Sequence, residues 1–255
     1  VNAAALAGQA VALDYKAGPA TRMIDFHGYR YTRTPSEVSG ALMTRYDETK
    51  PETWHVPLRD DVQPSLSAPA PRAGYLIPVE QAAQVAPKLA VHGIEFRVLD
   101  TPLAAVPVEA YRASSAVPEG KSVEGHQRLK LQGNWQPERV DLAAGALYVP
   151  VAQAKARLVM AMLEPQAPDS LLAWGEFNNF FEQKEYMEPY VAEQVAREQL
   201  AADPALAEAF ARRLREDAAF AADPAARLDF FYRRHSAWDA NYNRYPVLRS
   251  DSAPR

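Results

Sequence analysis

The chain has no cysteine among its 255 residues, which removes disulfides, thiolate nucleophiles and thiolate metal sites together and leaves the compartment open. No apolar run approaches the ~18 to 20 residues a membrane-spanning helix needs. The opening residues, VNAAALAGQA, lack the positive charge that begins a signal peptide. No glycine-rich phosphate loop and no G-x-S-x-G turn occurs. Positive charge is not in excess either: 28 Lys and Arg stand against 32 Asp and Glu, a net charge of −4. The balance is 15 to 16 up to Pro150 and 13 to 16 after it. Neither half is a basic surface, and nucleic acid is not an expected partner.

What is present is the composition of a globular protein, with 48% hydrophobic and 24% charged residues, long enough for a sizeable core. The most individual stretch runs from Gly145 to Tyr190. A strand-like run, Ala146 to Val149, ends at Pro150, and an amphipathic helix follows in which Ala154, Leu158 and Met162 recur at four-residue spacing. Pro165 stops that helix. Asp169 or Ser170 then offers a cap for a second helix carrying Leu171, Trp174, Phe177, Phe180 and Phe181, too much aromatic surface to leave in water.

Upstream, short β-like runs are expected at Val11 to Tyr15, Arg22 to Thr32 and Leu42 to Tyr46. Between Lys50 and Pro71 stand five prolines, which predict an irregular connector. Tyr75 to Ile77, a helix from about Val79 to Val91, Gly93 as its stop and a strand from Ile94 to Leu99 suggest a βαβ-like unit, with a kink or break at Pro87. Strands follow at Val106 to Ala113, His126 to Leu131 and Arg139 to Leu142, with a turn at Gln132-Gly133-Asn134. Further helices open at Pro189 and at two copies of AADPA, where Asp203 and Asp223 sit at the cap and proline at the first helical position. The fold expected is α+β: a β-rich mixed region, 1–150, and a helical region of about five helices, 151–255, packed as one body.

Several motifs occur in order: SGALMTRYD, HGIEF, LEPQAPDSLLAWGEFNNFFEQKEYMEPYVAE and FFYRRHSAWD. Together they resemble the long region that follows the peptidase domain in bacterial proteins of the M14 zinc carboxypeptidase family, over about Val11 to Arg249. The resemblance implies that the zinc ligands and catalytic glutamate lie upstream of residue 1, in accord with a start at valine rather than methionine. It implies no cofactor in this chain, zinc in that upstream domain, an exported parent, and the upstream peptidase domain as partner. The chain itself is then a non-catalytic accessory region. An independent module binding peptide or cell-wall material is the alternative, and a self-sufficient zinc hydrolase the most remote.

The residues for that last reading are His92, Glu95 and His235, a His-x-x-Glu pair with a distant histidine. No glutamate follows His235 to act in catalysis, and His92 falls at a helix end, so a cap followed by a strand is expected there instead. Asp60-Asp61 and the set Glu182, Glu185 and Glu188 are acid pairs better read as solvated faces. Candidates for an interface are Trp174, Phe177 and Tyr186 from the aromatic stretch, with Arg233, Trp238, Tyr242 and Arg244 near the C-terminus. These are the residue types that dominate hot spots, although aromatic stripes are core first.

Overall fold

A computed structural model describes residues 6–184 and 186–254. It is a mixed α+β structure with mostly antiparallel strands. The chain divides into two compact units, one spanning Gly8–Ala70 and the other running from Pro71 onward. The division therefore falls at Ala70, and Pro150 is the last residue of a strand of the second unit.

The first unit is a two-stranded ribbon. Strands β1 (Ala10–Ala17) and β2 (Arg22–Pro35) run out along one side. After a turn in which Ser36 Oγ accepts the N–H groups of Val38 and Ser39, β3 (Leu42–Leu58) and β4 (Val62–Pro69) run back. β2 pairs with β3 and β1 with β4, both antiparallel. At the junction the Asp61 carboxylate accepts from Ala20 N and Gln63 Nε2, and Arg22 bonds Asp60 at 2.8 Å. A Cβ at Gly18 would stand 1.9 Å from the Asp61 carboxylate, so a larger residue there would displace that side chain. Asp60-Asp61 thus lies at a structural corner.

The proline-rich stretch expected as an irregular connector is instead ladder: Pro51 faces Tyr29, Pro57 faces Met23 and Pro64 faces Tyr15. The reason lies in the strand number. In a two-stranded ribbon each strand has a free outer edge, where alternate N–H groups point to solvent and a missing donor leaves nothing unpaired.

In the second unit, β5 (Gly74–Ile77) is wholly buried and leads into α1 (Val79–Val91). The helix is continuous through Pro87, so the break expected there does not occur. It ends as its sequence predicts: Gly93 takes φ +60, Gly93 N–H bonds Ala90 O at 2.8 Å and Ile94 N–H bonds Leu89 O at 2.9 Å. A short β6 (Arg97–Val98) follows, then the long hairpin of β7 (Leu103–Pro118) and β8 (Leu129–Leu142), and β9 (Leu147–Pro150). The chain closes with β10 (Leu248–Ser250), and the sheet order is β6-β9-β5-β10-β7-β8. β5 and β6 are each antiparallel to β9, which lies between them. Gly133, expected in a turn, lies within β8 opposite Ala113, where a Cβ would stand 2.2 Å from Arg112 O. Leu76, Val108, Ala110, Leu142 and Leu248 form the core of this sheet.

The helices after Pro150 are α2 (Ala156–Leu163), α3 (Pro189–Ala202), α4 (Pro204–Glu216), α5 (Ala218–Ala222) and α6 (Pro224–Tyr232). Asp203 and Asp223 each accept two N–H groups at the starts of α4 and α6, and Asp217 accepts one, from Phe220, at the start of α5. Ala196, Phe220, Phe230 and Phe231 close a second core between these helices, with Phe210 packed on it. The helix expected over Leu171 to Phe181 is instead a series of turns with one 3₁₀ turn at Asn178–Phe180. Gly175 explains this: it takes φ +82, and a Cβ there would meet Gln127 O at 2.3 Å.

Candidate functional site

The residues singled out for zinc are held in ordinary structural roles. His92 is the exposed residue just past the end of α1, and Glu95 is exposed in the loop before β6, its backbone held on both sides by the buried Gln153 side chain. His235 Nδ1 accepts the N–H of Ala237, a local turn bond. Among the described residues no group of three or more His, Asp or Glu is placed to hold a metal ion. Of the acid set, Glu182 and Glu188 are exposed and Glu185 lies outside the described residues.

The interface candidates divide. Phe177 is fully buried, edge-on to Phe180 and Tyr245, so it is core. Trp174 is half-buried, with Arg128 stacked 4.5 Å from its ring centre. Trp238 packs edge-on between Tyr232 and Tyr242, and Arg233 lies over it while paired to Asp229. Tyr186 is exposed.

Two arrangements escape sequence reasoning. The first is a buried ion pair. Glu164, just past α2, accepts two hydrogen bonds from Arg249 on β10, at 2.9 and 2.5 Å, and a third from the Tyr75 hydroxyl at 2.5 Å. Arg249 also stacks 4.1 Å from the Trp135 ring centre. Burial pushes the Glu164 carboxyl above its ordinary value against the pull of Arg249 and Tyr75, and raises the Tyr75 phenol far above its own. The carboxylate is fully engaged by these three bonds. The set fastens the end of α2 to β5 and β10, joining parts of the chain 85 residues apart, and such a pair specifies an arrangement more than it adds stability.

The second arrangement is the ribbon face. Phe26 stacks on Trp54 at 5.9 Å, and Tyr31 and Tyr46 pack on the same indole at 5.7 and 6.2 Å. Gly28 makes room, since a Cβ there would lie 2.6 Å from the Trp54 ring. The register shift after Tyr29 brings Tyr31 to this face, and Asp47 holds the shift, accepting from Thr49 and pairing with Lys50. Those partners, Lys50 first, lower the Asp47 carboxyl to about 2. Yet the cluster is thinly covered: Phe26 is 51% and Tyr46 55% exposed. Of the sixteen large apolar side chains exposed among the described residues, ten lie in Gly8–Ala70, a quarter of the chain. No sequence pattern marks this face, because both faces of β2 and β3 carry large side chains.

A third feature is a cleft of about 330 Å³ bordered by the start of α1, the end of β8 and the segment entering β10, with Arg244 on its wall. Arg244 is half-buried, and burial lowers its pKa from the ordinary value against the opposing effect of Glu138. No family model, no curated protein and no solved structure matches this chain.

Proposed function

We propose that this chain is a non-catalytic accessory region that docks, through its ribbon, on a zinc carboxypeptidase domain of the M14 type encoded upstream in the same protein. The observation that carries the reading is the concentration of exposed aromatic and aliphatic side chains on a two-stranded ribbon. Such a ribbon is marginal in water by itself, and an apolar face of this kind marks a surface that another body covers. The identity of that body comes from the ordered motifs between Val11 and Arg249. Zinc and the catalytic glutamate belong to the upstream domain, and the parent is an exported protein. The ribbon carries seven Lys and Arg against eight Asp and Glu, a balance suited to a protein partner and not to nucleic acid.

The test is a sedimentation titration of this chain against the separately produced domain encoded upstream. Association in the micromolar range or tighter is expected, weakened at least tenfold by Phe26→Ser with Tyr46→Ser, while the melt of the remaining protein is unchanged. A reading frame that encodes no zinc carboxypeptidase domain, or equal binding by the double variant, overturns the proposal.

A further inference from the structure

The cleft beside α1 holds an arginine whose donors are largely unused. A guanidinium presents five N–H groups. The Arg244 guanidinium makes one hydrogen bond among the described residues, from Nη1 to Asn241 Oδ1 at 3.0 Å. Its Nε is shielded from solvent and stands 3.3 Å from Glu138 Oε2 without hydrogen-bond geometry. Glu138 is itself shared, since its other oxygen accepts from Arg112 Nε at 2.7 Å. One carboxylate therefore serves two arginines, which leaves the Arg244 guanidinium incompletely neutralised.

The same cleft carries the opposite charge. Glu80, in the first turn of α1, is exposed and its carboxylate makes no hydrogen bond or ion pair with any described residue, and Asp141, which accepts the Ala105 N–H, also lines the wall. Phe180, Pro246 and Leu248 supply apolar surface. The volume falls at the small end of small-molecule sites. A plain dianion would meet Glu80 and Asp141, and a plain cation would leave Arg244 unanswered.

We propose that this cleft binds a small zwitterion with an apolar side group, of the class of an aromatic α-amino acid. Arg244 takes the carboxylate, helped by the uncapped first turn of α1, which begins after Pro78. Glu80 takes the ammonium, and Phe180 with Pro246 takes the side group. The site lies wholly within the unit that begins at Pro71 and is independent of any docking by the ribbon.

Calorimetric titration of the full chain with L-phenylalanine, 3-phenylpropanoate and 2-phenylethylamine separates the two charges on one apolar group. Phenylalanine is expected to saturate a single site, with each half-analogue at least tenfold weaker. Glu80→Gln, at an exposed position, should weaken phenylalanine roughly tenfold and leave 3-phenylpropanoate unchanged. Arg244→Gln should abolish phenylalanine binding. Because Arg244 also touches Glu138, 2-phenylethylamine serves as the control: its weaker binding rests on Glu80 and is expected to be unchanged by Arg244→Gln, and its loss together with that of phenylalanine overturns the role given to Arg244. No saturation by phenylalanine up to about 10 mM, equal affinity for 3-phenylpropanoate, or indifference to Glu80→Gln overturns the proposal.

Discussion

The ribbon and the helical cluster are built from the same kind of side chain and treat it oppositely. Phe220 and Phe231 are 4% and 2% exposed between α3, α4, α5 and α6. Phe26 and Tyr46 stack just as regularly on Trp54 and remain half in water. Helices close around a ring from several directions, because each projects side chains all round its axis. A two-stranded sheet has two faces and no second layer, so its aromatics cover one another and little else. Aromatic content therefore says that a region packs, and the number of layers says whether the chain supplies what it packs against.

That contrast is sharpest in stability. Phe231→Ala should lower the unfolding free energy of the body by ~3 to 5 kcal/mol, as buried aromatic truncations do. Tyr46→Ala should shift it by less than about 0.5 kcal/mol, the usual range for exposed positions. Denaturant melts of the two variants measure both. A large loss from Tyr46→Ala would mean that the ribbon face is closed in the isolated chain.

A second difference is in acid response, with opposite signs in the two units. Glu164 has a native pKa above its ordinary 4.5, so between those two values the folded protein binds more protons than the unfolded one. Stability contributed by this group is thus present below 4.5 and is lost as pH rises through the raised value. Glu164→Gln should flatten that part of the curve in melts recorded from pH 4 upward. An unchanged slope would show that Glu164 is not held as described.

The smallest effect belongs to Asp47 on the ribbon. Its carboxyl is depressed from 3.8 to about 2, so its contribution is present above 3.8 and fades as pH falls through 2. Asp47 is exposed, and the effect should be local. Amide exchange at Thr49, whose N–H bonds Asp47 Oδ1 at 3.1 Å, should quicken in Asp47→Asn relative to the wild type at pH 5, with no change at Phe231. Equal exchange at Thr49 would remove the role given to Asp47 in holding the register shift.

Much of the local structure was legible because it depends on neighbours in sequence. The proline after Asp203 and Asp223, the glycine after α1 and the stop at Pro165 each act through the few backbone groups beside them, and each element begins or ends where those residues place it. Where a residue type has two meanings, the sequence reading went astray. Prolines 51 and 57 read as a break because proline lacks a donor, and the free edge of a ribbon makes that lack harmless. Gly133 and Gly175 read as a turn and as nothing, and both are fixed by a backbone carbonyl 2.2 to 2.3 Å from where a Cβ would stand.

The candidate sites depend on meetings at long range. Sequence alone determined the mixed α+β class, the helix starts at Pro189, Asp203 and Asp223, the stops at Gly93 and Pro165, and the absence of thiolate chemistry, since composition and caps are local quantities. Only the tertiary structure decided that Glu164 meets Arg249 and Tyr75, that Arg244 and Glu80 face one cleft, and that the aromatics of the ribbon stay uncovered while those of the helices do not. Each of these is set by which segments the fold brings together and how many layers lie over them. Neither quantity is carried by any short stretch of residues.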